Sequence, residues 1–131
     1  MHRDLKRGDL IYPELSYELV GILFEVSKNL GSEHLEKHYQ RALIDEFTKR
    51  KIEFKAQVPV PIEYKGNKIG IYFLDFLIKS KIVLEIKKNN NFSRNNIQQV
   101  YRYLKTLDLK LGILANFTDK GVLYKRILNI N

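Results

Sequence analysis

The sequence predicts an α/β fold, a mixed central sheet flanked by helices. Three observations carry that expectation. Apolar residues recur at helical spacing from Leu15 to Phe47, and the pattern changes to strand-like runs from Ile52 onward. A strand–helix–strand unit spans residues 81–117, where a right-handed parallel crossover is the rule. The strands before it are close enough in sequence to pair as hairpins.

Residues 1–12 are polar and charged and are expected to form a loose lead-in. Pro13 can open a helix, with Glu14 and Glu18 complementing the positive end of its dipole. Leu15, Leu19, Ile22, Leu23, Val26 and Leu30 follow helical spacing, and Gly31 with Ser32 ends the run. A second helix is expected from Glu33 to Arg50, with Leu35, Tyr39, Ala42, Leu43 and Phe47 as its apolar face. Lys49, Arg50 and Lys51 stand at its negative end.

From Phe54 to Tyr64 the chain alternates and carries Pro59 and Pro61, which cannot donate ladder hydrogen bonds. This predicts an edge strand or a bent one. Lys65-Gly-Asn-Lys is a turn, since Gly and Asn tolerate positive φ. Strands are expected at about 69–78 and 81–88. Ser93 is a plausible N-cap for a helix to about Leu107, with Ile97, Val100, Tyr101 and Leu104 as its core stripe. Leu111 to Phe117 is continuously apolar, as a strand buried on both faces would be. Val122 to Ile130 is a final strand or a short helix. No internal repeat or linker divides the chain, so residues 1–131 are expected to form a single domain.

The chain has no cysteine, which removes disulfides, thiolate zinc sites and cysteine nucleophiles and fits a cytoplasmic setting. No apolar run approaches the ~20 residues of a membrane span. The formal net charge is +8, unevenly placed. After Glu85 there are nine Lys and Arg against Asp108 and Asp119; up to Glu85 there are 14 basic and 13 acidic residues. A basic surface beside carboxylates suits a polyanion such as nucleic acid; taken alone, it is equally a solubilising face.

Asp75 interrupts the apolar run Tyr72–Ile78, and Glu85 and Lys87 interrupt Ile82–Lys87. Glu85 and Lys87 point to one side of their strand. If the two runs pair around Lys79-Ser80, Asp75 lies near Glu85 across the hairpin. Two carboxylates and an ammonium on a largely apolar sheet are costly, and such a cost marks a metal-assisted reaction site more often than chance. The competing reading is a solvent-facing Glu85–Lys87 pair. His34 and His38 have the i, i+4 spacing of a zinc pair, but Glu36 is not adjacent to the first histidine and no third ligand is evident. Gly-rich phosphate loops and GxSxG are absent.

Asp75 with Glu85-Ile86-Lys87, after a helix bearing Glu36, resembles the PD-(D/E)XK nuclease superfamily. More closely, the chain resembles the small GxxExxY family within it, over roughly residues 15–128. The pieces are Leu30-Gly31, Leu35-Glu36-Lys-His-Tyr39, Tyr64-Lys-Gly66, Leu74-Asp75, Val83-Leu-Glu85-Ile-Lys87, Gln99-Val-Tyr-Arg-Tyr103-Leu and Leu109 to Phe117. Leu74 replaces the proline of the superfamily motif. Glu33 replaces the glycine expected three residues before Glu36, which changes how the second helix begins.

The resemblance implies a restriction-endonuclease-like αβββαβ core with an extra N-terminal helix. It also implies divalent-metal-dependent phosphodiester cleavage, with nucleic acid, DNA first, as the partner. Asp75, Glu85, the Ile86 carbonyl and Glu36 would hold Mg²⁺ or Mn²⁺. Lys87 would orient the attacking water or stabilise charge on the phosphate. Gln99 and Tyr103, four apart on one helix face, would hold the site or the substrate backbone. Lys88, Arg94, Arg102 and Lys105 are candidates for phosphate contacts. Relatives that cut duplexes often work as homodimers. A catalytically inactive binding or regulatory module on the same scaffold is the alternative.

Overall fold

A computed structural model describes residues 11–130. Helix α1 spans Pro13–Leu30 and α2 spans Glu36–Lys49; strands β1, Phe54–Tyr64, β2, Asn67–Ile78, and β3, Ile82–Lys87, follow. Helix α3, Arg94–Leu107, leads to β4, Leu111–Thr118, and β5, Gly121–Leu128. The order α2 β1 β2 β3 α3 β4 is the expected αβββαβ core, with α1 as the extra N-terminal helix. The undecided C-terminal segment is a strand.

The five strands form one mixed sheet in the order β1-β2-β3-β4-β5. Only β3 and β4 run parallel; the other pairs are antiparallel hairpin partners. The expected pairing of the strand–helix–strand unit is therefore observed. Every residue of β4 is buried, and so is β3 from Ile82 to Ile86. Continuous apolar sequence is what a strand covered on both faces requires.

Helices α1 and α2 cover one face of the sheet. There Leu19, Ile22, Tyr39, Leu43 and Phe47 meet Phe76, Leu84, Ile113 and Phe117. Helix α3 covers the other face, where Val100, Tyr103 and Leu104 meet Leu74, Val83 and Leu114. Ser93 caps α3 as expected: its Oγ accepts from the Asn96 N–H at 3.2 Å.

Two expectations need correction. Helix α2 begins at Glu36, not Glu33. Gly31 is at φ 74°, residues 32–34 form bends and Leu35 is extended, so the chain enters the helix only after Leu35. His38 then serves the helix start, because its Nδ1 accepts from the Leu35 N–H at 3.1 Å. The lead-in was expected to reach residue 12. Residues 1–10 lie outside the described residues, but Ile11 and Tyr12 pack against the core, and Arg126 Nη2 donates to the Ile11 carbonyl at 3.1 Å.

Strand β2 changes faces along its length. Leu74 lies in the α3-side cluster and Phe76 in the α1/α2-side cluster. Residues two apart on a regular strand share a face. The strand therefore rolls over at Asp75.

Candidate active site

The site begins where β2 and β3 stop pairing. Their turn places Lys79 and Ser80 at φ 52° and 57°, the left-handed pair of a tight hairpin, and the ladder runs from Ile78↔Ile82 to Phe76↔Leu84. The next pair in that register is Asp75 with Glu85. Here the ladder gives way to side chains. The Asp75 N–H donates to Glu85 Oε1 at 2.5 Å, and the Ile86 N–H donates to Asp75 Oδ2 at 2.8 Å. Each carboxylate thus satisfies a backbone donor of the opposite strand, which a fork in a buried sheet would otherwise orphan. Asp75 is 8% exposed and Glu85 3%. The reading of Glu85 as half of a solvent-facing pair fails on that burial.

Two buried carboxyl groups side by side raise each other's proton affinity. Burial pushes Asp75 up to about 6, against the opposing pull of the Ile86 N–H, with Glu36 adding to the rise and Lys87 reducing it. Glu85 is pushed up to about 8, by burial first and by the Asp75 charge second, with the Asp75 N–H and Lys87 pulling the other way. Both acids carry an unfavourable negative field that a cation would relieve.

Helix α2 brings Glu36 to this point. Its Oε1 accepts from the Lys88 N–H at 3.3 Å, just past the end of β3, and its charge reaches both Asp75 and Glu85. One helical turn later, Gln40 Nε2 donates to Asp75 Oδ1 at 3.2 Å. Lys87 is half-buried beside these acids. From the other face, α3 supplies Tyr103, 2% exposed and stacked edge-on against Tyr72 at 6.1 Å between ring centres. Burial, then Glu85 and Asp75, push its hydroxyl well above the ordinary tyrosine range. Tyr103 is therefore a core residue and a neighbour of the carboxylates at once. Gln99 is half-buried one turn before it.

The cationic residues are less concentrated. Arg94, Arg102 and Lys105 are exposed on α3, and the Lys105 ammonium lies 5.5 Å from the Tyr101 ring centre. Tyr101 itself is packed against the α3-side core, as expected. Lys88 is half-buried, joined to the acids through its backbone.

Among the described residues, no three His, Cys, Asp or Glu side chains form a closed metal cage. The donor chemistry present is two clustered carboxylates with Glu36 close by. Such a set fits a hard cation that keeps several of its waters, as Mg²⁺ does. The histidine pair points elsewhere: His34 and His38 meet edge to face at 5.6 Å, and His38 is committed to the α2 start.

Sequence reasoning missed three polar residues here. Gln40 lies four residues after Glu36, a spacing that would have placed it on the same helix face. Asn116 interrupts the apolar run of β4; it is fully buried, neighbours Lys87 across the parallel ladder, and its Nδ2 donates to the Asn91 carbonyl at 2.7 Å. It therefore ties down the loop that follows Lys88. Gln57 stands opposite Asp75 on β1, and nothing in its alternating strand distinguishes it.

A family model described as the PD-(D/E)XK nuclease superfamily matches residues 13–127. No curated protein matches the chain in sequence. Among solved structures, SSO0001 superposes with a TM-score of 0.54 at 18% identity, covering 95% of this chain and 61% of its own. An alkaline exonuclease, LHK-Exo, from Laribacter hongkongensis superposes with a TM-score of 0.52 at 12% identity, covering 99% of this chain and 73% of its own. At these identities the likeness is one of fold. The chain spans about six-tenths of the length of SSO0001.

Proposed function

The chain belongs to the PD-(D/E)XK nuclease superfamily, and on that footing we propose that it is a divalent-metal-dependent nuclease that hydrolyses phosphodiester bonds in DNA. The observation that carries the reading is the fork between β2 and β3, where Asp75 and Glu85 are buried face to face beside Lys87. A sheet interior keeps such a pair only at a cost, and clustered acids with raised proton affinity suit a cation site.

In this reading Asp75, Glu85 and the Ile86 carbonyl hold Mg²⁺ or Mn²⁺, and Glu36 contributes from α2. Bound there, the ion would polarise the phosphate and make water a better nucleophile at neutral pH. Lys87 orients the attacking water and offsets charge that develops on the phosphate. Tyr103 walls the carboxylates from the α3 side, and Gln99 supports the same wall. Lys88, Arg94, Arg102 and Lys105 hold the substrate backbone by its phosphates. A duplex would be cut by a homodimer, one site for each strand. No described helix is long and apolar enough to cross a membrane, and the cysteine-free composition supports a cytoplasmic setting.

The exposed basic residues of α3 also favour a second reading, a non-catalytic nucleic-acid-binding or regulatory module. One experiment separates the two. Wild-type protein and Asp75→Ala are incubated with end-labelled single-stranded, duplex and branched DNA, and with RNA, in Mg²⁺ or Mn²⁺. The enzyme reading expects cleavage that Asp75→Ala loses by at least ~10³-fold, with binding kept within about threefold. Wild-type protein that binds but cuts no substrate with either ion would leave the module reading standing alone.

A further inference from the structure

The roll of β2 at Asp75 has a counterpart on β1. In the β1–β2 register, Ala56 pairs with Phe76 and Val58 with Leu74, so Gln57 stands opposite Asp75, yet that one pair is missing from the ladder. Gln57 is at φ 55°, a left-handed conformation that costs an L-residue without a special reason. Its neighbours divide as those of Asp75 do. Phe54 packs on the α1/α2 side, whereas Val58 and Val60 pack on the α3 side. Both strands therefore roll over at one rung, and the left-handed residue is what lets β1 follow. Among the described residues, Gln57 is the one non-glycine strand residue with a positive φ.

Its side chain is exposed, so burial does not explain its choice. Its amide instead stands close enough to the Asp75 carboxylate to lower that group's proton affinity. That carboxylate accepts from Gln40 on α2 at 3.2 Å and from the Ile86 N–H on β3 at 2.8 Å, and the Gln57 amide approaches it from β1. Two donors on two elements, with a third amide beside them, hold the plane of one carboxylate more tightly than its own rotamer preference would. Backbone strain held beside a carboxylate cluster marks a residue kept for the site rather than for the fold.

We propose that Gln57 is a positioning residue: its left-handed backbone rolls the β1–β2 rung over, and its amide clamps Asp75, with Gln40 opposite, in the orientation that receives the divalent cation. The proposal rests on the metal-dependent reading above. Gln57 touches neither the ion nor the phosphate; it acts through Asp75.

Backbone and amide are separable by substitution. Gln57→Gly removes the amide but is at ease at positive φ; Gln57→Ala removes the amide and keeps the strain. Mn²⁺ binding is measured by calorimetry and the melting temperature is read without metal, for wild type, both variants and Gln40→Leu. Gln57→Gly is expected to melt no lower than wild type and above Gln57→Ala, while its Mn²⁺ Kd rises 10- to 100-fold. Gln40→Leu is expected to show the same loss of affinity. Cleavage by Gln57→Gly should recover towards the wild-type rate as Mn²⁺ is raised to saturation, which a purely structural lesion would not do.

Unchanged Mn²⁺ affinity in Gln57→Gly, with the wild type binding normally, would overturn the clamp. Equal melting of the Gly and Ala variants would overturn the strain. Wild-type protein that binds no Mn²⁺ would instead remove the metal-dependent reading itself, so the two failures are distinguishable.

Discussion

Asp75 and Glu85 make the metal-free protein sensitive to pH in an unusual direction. Both carboxyls bind their protons more tightly in the folded protein than in the unfolded chain, at about 6 and about 8. Between roughly pH 4 and pH 8 the folded state therefore holds protons that the unfolded state has released. The linkage makes the contribution of this pair fall as pH rises through that window. Metal-free protein should lose stability from pH 5 to pH 8.5, as read by urea denaturation, and Mn²⁺ should restore part of it at the upper end. Glu85→Gln keeps an acceptor for the Asp75 N–H while removing a buried charge. It should flatten the slope and add about 1–3 kcal/mol at pH 8, at the expense of cleavage. A Glu85→Gln protein no more stable than wild type at pH 8 would contradict this. At this scale the charged residues were legible in the sequence, because Asp75, Glu85 and Lys87 break apolar runs. Gln57 and Gln40 were not, since a neutral amide on an amphipathic segment looks like ordinary surface.

Among the elements, α3 depends on a gap in β4. A Cβ added to Gly112 would meet Val100 Cγ1 at 2.5 Å and the two Leu104 methyls at 3.5 and 3.6 Å. Val100 is β-branched and stiff at χ1, so it has little room to yield. Gly112→Ala should push α3 off the sheet and cost about 1–3 kcal/mol in urea unfolding. Because Tyr103 rides on the same helix, cleavage should fall as well. Catalysis at the wild-type level in the destabilised variant would separate α3 packing from the site. Helices α1 and α3 were readable from periodicity and caps, to within a residue. The start of α2 was not. The glycine that ends α1 also sets the chain's path into α2, and a helix pattern with no strong N-cap side chain gives no sign of where it begins. The roll of β1 and β2 was invisible for a sharper reason. Phe54, Val58 and Val60 all occupy even positions, so the alternation is perfect in sequence while the backbone divides it between two cores.

For the molecule as a whole, the net charge of +8 and the exposed cations of α3 set the expected ionic behaviour. If Lys88, Arg94, Arg102 and Lys105 each neutralise one duplex phosphate, log K should fall with log salt at a slope of about −4, at roughly −0.9 per contact. Replacing Arg102 and Lys105 by Ala should reduce that slope by about 2. An unchanged slope in a fluorescence-anisotropy titration would move the interface off α3. The αβββαβ order was legible at this scale because strand and helix periods alternate cleanly along the chain; the way the elements meet was not, because it depends on one left-handed rung.

The two prolines of β1 protect the protein from itself. Pro59 and Pro61 pair with Phe73 and Ile71 in the ladder, two residues apart, so their missing N–H groups fall in the outward-facing row. That outer row offers no donor at two successive sites where an approaching strand would need one. A copy of the same chain cannot extend the sheet there, although Ile69, Ile71 and Phe73 are exposed close by. Replacing both prolines with Val should leave urea stability within about 1 kcal/mol while restoring a continuous template. Light scattering should then show particles that grow with protein concentration. In the native chain, the exposed apolar hairpin is bordered by an edge that lacks backbone donors at Pro59 and Pro61.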